Sequence, residues 1–495
     1  MIRGDRIIRK NGILSLLIIS LIAFIFSINC KVNPFIRGTG YTDSNVFMYV
    51  GRVIAKGGIP YKDAFDHKGP LVYLINALAV KIASFGGSIW VFEFVTLLIS
   101  FYFVYKTSRL SCNKVISLIV LIISSATLNN YFQGGNLTEE YALPFITIST
   151  FIFTDYFLNN RINKFRAIIC GLSFEVVCML RINMIALWVV MCVSVLIKYR
   201  QNNDFHTCKT FFIWFIVGTL IILLPIMIWL FLNNAIYEYI SDYFLFNIEY
   251  INSLPQGKGT ARRVESFIYF LKNPVIIFAF ISQIYISYKK FSLFTISYLC
   301  YMVLTLASIA ISGRLLDHYG MTLVPMMAVP LQFIGCMQKE NIYKPVTLLS
   351  FLFILSYTAL PLWFDNINHV FQEYSNRNEN YYDIETKISD IIVSNTSKED
   401  KIIVCGNWNA IYNLSDRFSA SRYSYQNAPC GISEIRKKEF LHDIETTVPK
   451  IIVLPHDALI KNDMEIYIQE HNYEKILEEH RNRTPVDVYL LRSNN

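Results

Sequence analysis

Residues 42–73 read TDSNVFMYVGRVIAKGGIPYKDAFDHKGPLVY, and the fold follows from what flanks them. An apolar run, Ile13 to Ile28, precedes the stretch, and an apolar segment, Leu71 to Phe85, ends it. Between them stand Asp43, Lys62, Asp63, Asp66, His67 and Lys68, a density of charge unusual beside such apolar sequence. Ionisable groups held against a bilayer are costly to keep, so this loop is where chemistry is expected.

The whole chain sets the context. With 495 residues, 54% hydrophobic and 17% charged, and a mean hydropathy of +0.38, it is too apolar for a soluble enzyme. Many runs approach the ~20 residues that cross hydrocarbon. The formal net charge of +8 does not indicate nucleic acid, because Lys and Arg are scattered through short loops instead of gathered on one motif. Ten cysteines show no metal-binding spacing, and Cys170, Cys178, Cys192 and Cys300 lie in apolar runs as small hydrophobes. Cys405 and Cys430 lie together in a polar region and are the candidate disulfide pair.

Orientation turns on the Leu71–Phe85 segment, which carries Lys81. If it crosses the membrane, every later basic loop falls outside. If it lies along the surface, KTSRLSCNK, NNRINKFR, KYRQNNDFHTCK, SYKK and QKENIYK all fall inside, as the positive-inside rule demands. The second solution gives an uncleaved first span with a cytoplasmic N-terminus and about eleven spans. Their expected positions are 13–29, 89–105, 115–129, 142–158, 167–181, 182–198, 210–232, 266–287, 291–311, 320–337 and 345–362. Asn233 to Glu265 is expected as a longer outward region, aromatic and acidic at first, then a basic mobile loop.

After about Asp365 the composition turns polar. The runs KIIVCG, KIIVLP and VDVYLL read as strands, and Ile384 to Val393 and Ile432 to Ile444 read as helices. The chain therefore divides into a helical membrane module, 1–364, with its first outer loop at 30–88, and an extracytoplasmic α/β domain, 365–495. No glycine-rich phosphate loop follows any strand, so the tail is assigned an accessory role.

Within the opening stretch, Val46, Tyr49, Val50, Val53 and Ile54 have helical spacing that stops at Gly57-Gly58. Thr42, Asp43 or Ser44 as a helix N-cap is the competing account of Asp43. Asp66, His67 and Lys68 supply a carboxylate, an imidazole and an ammonium in consecutive positions, suited to phosphate or a divalent ion. Their competing account is a solvated turn leading to Pro70 at a helix start. Further outward candidates are Glu139 and Glu140 in GGNLTEEYALP, Arg181 beside Asn183, and Arg314, Asp317 and His318 in GRLLDHYG.

The runs DSNVFMYVGRVIAKGGIPYKDAFDHKGPLVYLINALA, GGNLTEEYALP and DHYGMTLVPMMAVPL resemble the GT-C superfamily of membrane glycosyltransferases. The resemblance is closest to bacterial family 39-like members, related to protein O-mannosyltransferases and lipid A aminoarabinose transferases, and covers roughly the first 340 residues. It implies a polyprenyl-phosphate-linked sugar donor, an acceptor that is a glycan, lipid-linked or protein, and a place among the lipids of the bacterial cytoplasmic membrane with site and tail outside. Asp43 matches the family's first-loop aspartate, which activates the acceptor. Asp66, with His67 as its rival, matches an acidic position linked to a divalent metal. Glu139 or Glu140 matches a second acidic residue. DHKGP in place of a double proline, and a Glu pair in place of a lone Asp, depart from the pattern.

The implied activity is inverting transfer of a sugar to an acceptor hydroxyl in cell-envelope glycan assembly. Asp43, Asp66, Glu139 and Glu140 are the catalytic candidates, and Lys68, Arg181, Arg314 and His318 the phosphate ligands. A lipid-linked glycan flippase would need charges lining its spans, as Glu93 and Glu175 could do. An oligosaccharide polymerase or ligase, or a glycan-binding scaffold, are the other rivals.

Overall fold

The computed structural model describes residues 2–35, 40, 42–83, 86–253, 259–332, 357, 360–375, 384–481 and 484–492, with the side chains of 2–12, 362, 366, 370 and 373 excluded. The chain forms two compact units, each discontinuous in sequence. One comprises Met1–Cys30, Trp90–Ile226 and Leu254–Gln372, and the other Lys31–Ile89, Met227–Ser253 and Glu373–Asn495.

The first unit is helical. Among the described residues, helices Gly87–Ser108, Thr138–Asn159, Phe205–Leu232 and Leu293–Ala310 are long and apolar enough to cross a membrane. The pair Gly259–Leu271 and Pro274–Lys289 would add a fifth span, but it is bent by 88°. The expected span at 266–287 is thus broken. Asn273 accepts from the Val275 N–H at 3.0 Å and Pro274 takes the first helical position, so a new helix starts there. Gly259 already begins the preceding helix, where a mobile basic loop was expected. The expected span at 320–337 is replaced, over its described part, by 3₁₀ turns and the short helix Leu323–Met326, interrupted by Pro325 and Pro330. Residues 333–337, and nearly all of the expected span at 345–362, lie outside the described residues. Lys114–Asn129, Lys164–Cys178 and Ala186–Gln201 are helices of 15–16 residues, so the described structure shows fewer full-length spans than the eleven expected.

Helices Lys164–Cys178 and Phe205–Leu232 touch through glycine. A Cβ on Gly171 would lie 1.8 Å from the Phe215 carbonyl oxygen, and one on Gly218 would lie 2.1 Å from that of Ile168. Small residues let apolar helices approach this closely where no hydrophobic force drives them together.

The second unit contains the opening stretch. Thr42–Ala55 is a helix whose Val46, Tyr49 and Val50 are buried, and it ends before Gly57 at φ +97°. Pro70–Ile82 is a 13-residue helix. At 1.5 Å per residue it is about 20 Å long, short of the ~30 Å hydrocarbon layer. The tail builds a five-stranded sheet from β1 (Lys401–Val404), β2 (Phe418–Ser419), β3 (Ile451–Pro455), β4 (Tyr473–Arg481) and β5 (Thr484–Leu491), in the order β2-β1-β3-β5-β4. β1 is parallel to β2 and β3, and β5 is antiparallel to β3 and β4. The three expected strand runs are β1, β3 and β5, and the two expected helices are Ile384–Asn395 and Glu434–Thr446. Cys405 and Cys430 are both buried free thiols, not a disulfide.

Long-range bonds tie this unit together. Arg52 donates to the Tyr412 carbonyl at 2.7 Å and to Asp416 at 2.6 Å, and the Tyr49 hydroxyl accepts from the Ser419 N–H at 3.0 Å. Asp242, in the π-helical turn Ile240–Leu245, is buried between Arg422 at 2.9 Å and Arg436 at 3.6 Å.

Replacing Gly171 by Ala should push the two helices apart and destabilise the protein by roughly 1–3 kcal/mol. Gly87→Ala, where a Cβ meets nothing within 4 Å, should be neutral. Thermal unfolding of the purified protein in detergent compares the two variants directly.

Candidate functional site

The second unit gathers Asp66, His67 and Lys68 in the turn before Pro70. Asp66 and Lys68 are only 3% and 7% exposed, which disposes of a solvated turn. Asp66 accepts from the Tyr73 hydroxyl at 2.8 Å on one oxygen and from the Tyr425 hydroxyl at 2.7 Å on the other. His67 Nε2 lies 2.9 Å from the Lys68 ammonium, and His67 Nδ1 lies 3.2 Å from Tyr425 Oη and 3.3 Å from Asp66. An ammonium has no lone pair, so Nε2 must accept and the proton of the neutral ring resides on Nδ1. The His67 carbonyl accepts from Asn247 at 2.8 Å, and that of Lys68 from the Tyr61 hydroxyl at 2.8 Å.

Burial, then the Lys68 charge, push the His67 pKa below its ordinary 6.5. Burial also acts to raise the Asp66 carboxyl, but the His67 hydrogen bond, the Lys68 charge and the Tyr425 hydroxyl outweigh it and hold the group well below the usual carboxylate range. Asp43 occupies the first turn of its helix, half-buried, and its charge is felt by His67 and Tyr425. Asp66 and His67 do not fit the divalent ion expected of them. Both Asp66 oxygens accept from phenols, and the outward His67 nitrogen faces a cation already in place.

In the first unit Glu139 and Glu140 diverge. Glu139 accepts from the Thr138 hydroxyl at 2.8 Å and forms an ion pair with Arg181, whose guanidinium lies 3.9 Å over the Tyr319 ring. His318 acts electrostatically on the same carboxylate, and its Nδ1 lies 2.6 Å from Gln133 Oε1. Gln133 also donates to Asp317 at 3.3 Å, and Asp317 accepts from the Tyr269 hydroxyl. Arg314 sits in the turn before this cluster, where its carbonyl accepts from the Ser266 hydroxyl at 3.3 Å.

Glu140 accepts from the Asn136 N–H at 2.9 Å and faces Glu93 and Cys30. One ligand atom from each of the three lies within 4.8 Å of the others. All three residues are fully buried. A Cβ on Gly135 would fall 2.0 Å from a Glu93 oxygen, so glycine makes room for the cluster. Two buried carboxyls this close need a proton or a cation between them, and a thiol with two carboxylates suits a borderline-soft divalent ion such as zinc. Cys30 carried no sequence signal, since it follows an apolar run as any small hydrophobe could. Tyr425 carried none either, lying far along the chain from Asp66.

The family profile for "Putative competence-induced protein Ccs4 N-terminal domain" matches residues 5–340. The chain belongs to this family. No curated protein matches it in sequence. Among solved structures it resembles ArnT from Cupriavidus metallidurans bound to undecaprenyl phosphate, at 10% identity and TM-score 0.61, over 97% of this chain and 98% of that one. It also resembles the Archaeoglobus fulgidus oligosaccharyltransferase complexed with Zn and sulfate, at 11% identity and TM-score 0.53, over 96% and 73%. The same archaeal enzyme, AglB, with an inhibitory peptide and a dolichol-phosphate, matches at 10% identity and TM-score 0.50, over 96% and 74%. Both are GT-C enzymes, so the chain has the GT-C fold that its three motif runs resemble.

Because both groups titrate lower in the fold than in the unfolded chain, their contribution is full above the unfolded pKa and is lost as pH falls through the folded one. For His67 the loss begins below about pH 6.5 and for Asp66 below 3.8. Unfolding measured from pH 7 to 5 should show a wild-type slope of up to about 1.4 kcal/mol per pH unit from His67. His67→Gln should flatten that slope while lowering stability at pH 7.

Proposed function

We propose that the chain is a membrane glycosyltransferase that moves a sugar from a polyprenyl-phosphate donor to an acceptor hydroxyl, with inversion, on the outer face of the cytoplasmic membrane in envelope glycan assembly. The observation carrying this reading is the likeness over nearly the whole of both chains to a transferase crystallised with undecaprenyl phosphate. The acceptor is a glycan, lipid-linked or protein hydroxyl.

In the second unit, Asp43 takes the proton from the acceptor hydroxyl as its oxygen attacks the anomeric carbon. The bond from that carbon to the phosphate oxygen breaks, and polyprenyl phosphate leaves with the electron pair. Lys68, oriented by neutral His67, offsets the charge developing on the phosphate. Asp66 is a positioning residue, because it holds the two phenols and the imidazole that fix Lys68. In the first unit, Arg181, Arg314 and His318 are proposed to hold the anionic group of a lipid-linked substrate, with Glu139 fixing Arg181. Cys30, Glu93 and Glu140 would hold a divalent ion, which when bound supplies fixed positive charge there. Glu93, which a flippase would use to line a path, is taken up by that cluster instead.

Asp43→Asn should keep its unfolding midpoint and lose about 10²–10⁴ in transfer rate, assayed with a panel of polyprenyl-phosphate hexoses and pentoses and an envelope acceptor fraction. Equal transfer by both proteins would make Asp43 a helix cap. Separately, elemental analysis of protein purified without chelator should find about one zinc ion per chain in the wild type, lost in Cys30→Ser and Glu140→Gln. Zinc retained by both variants would remove the ion from this cluster.

A further inference from the structure

The helical unit contains a cavity of about 530 Å³ that the transfer reaction does not use. It brings together the two basic loops that follow helices Gly87–Ser108 and Thr138–Asn159. Lys106, Arg109, Arg161 and Arg166 line it, against one acid, Asp155. Asp155 is already committed, accepting from Arg166 at 2.6 Å and from Asn159 at 2.7 Å. The Arg109 guanidinium caps the Cys112 carbonyl, so it is fixed in direction without losing its charge. Lys106 makes no ion pair among the described residues and lies about 6 Å from the Tyr102 and Phe151 rings. The cavity therefore holds an excess of positive charge, and an anion is the ligand that relieves it.

The rest of the wall decides which anion. Leu16, exposed, and Ile19 belong to the apolar run of the first helix, and Tyr102 and Phe151 add aromatic surface. A free phosphate would gain nothing from that apolar side, and the aliphatic Leu16 and Ile19 suit an acyl chain better than a planar base. We propose that this cavity binds the phosphate headgroup of an anionic phospholipid, with the cations on the phosphate and the glycerol and upper chains along Leu16 and Ile19. Basic pockets between spanning helices hold such headgroups, and each Lys or Arg near an anionic surface adds about 1 kcal/mol, or roughly fivefold in affinity. The site would tie the helical unit to the acidic leaflet independently of any sugar donor.

The test uses full-length protein in a neutral detergent and native mass spectrometry with dioleoyl phosphatidylglycerol, dioleoyl phosphatidylcholine and inorganic phosphate as probes. Wild type should retain phosphatidylglycerol at least about tenfold better than phosphatidylcholine, with no displacement by millimolar phosphate. Lys106→Gln and Arg161→Gln should each weaken retention about fivefold. Lys398→Gln, which removes an exposed cation from the other unit, should change nothing. Equal retention of the two lipids, undiminished retention by the Lys106→Gln/Arg161→Gln double variant, or an equal loss in Lys398→Gln would overturn the proposal. Displacement by inorganic phosphate would overturn it in favour of a free-phosphate site.

Discussion

The Asp66 carboxylate is the contact on which the polar unit depends. Its two oxygens accept from Tyr73 on the short helix after the first loop and from Tyr425 in the tail, residues 7 and 359 positions away in sequence. A buried carboxylate with both oxygens hydrogen-bonded is stable, whereas the same group with one phenol removed would keep most of its desolvation cost. The loop, the short helix and the tail are thus tied at one charged atom group. The arginine contacts of Arg52, Arg422 and Arg436 repeat the pattern at lower burial, each crossing a long sequence interval to reach an acid or a carbonyl.

The helical unit solves the same problem with different partners. Glu139 is balanced by a guanidinium, so its neighbourhood is close to neutral. Glu140 and Glu93 face one another beside a thiol with no cation among the described residues, and that asymmetry within a Glu-Glu dipeptide follows from helix geometry. Successive residues on a helix point about 100° apart, so adjacent acids cannot share one environment.

Much of the fold was legible because its signals are local. The helix over 42–55 followed from apolar spacing and its glycine stop, and β1, β3 and β5 from short β-branched runs bounded by polar residues. The 266–287 span misled because hydropathy averages over Asn273-Pro274, a start signal strong enough to turn the chain by 88°. At 320–337, apolar composition concealed Pro325 and Pro330, which interrupt a helix at any hydropathy. The candidate site was legible in its residue types and illegible in its pairings. Asp66, His67 and Lys68 stand out in the sequence, but Tyr425 and Cys30 are ordinary residues brought to the candidate sites by contacts no linear pattern encodes. The residues proposed for a metal at Asp66 and His67 illustrate the same point, since their order in the chain omits the Tyr425 and Lys68 contacts that already occupy them.

That geometry also ranks the cations. Arg181 is held by Glu139, a partner that cancels its charge, whereas Lys68 is held through its ammonium by an imidazole nitrogen. A neutral acceptor orients an ammonium without neutralising it, and the depressed pKa of His67 is what keeps that acceptor neutral near pH 7. A leaving phosphate gains its second charge only as the bond to sugar breaks, so the useful cation is one fixed beforehand and still charged. Protonating His67 would turn its Nε2 into a donor, remove the orienting bond and set two cations side by side. Under the proposed transfer, Lys68 is therefore the better phosphate cation of the two, with His67 as the residue that aims it.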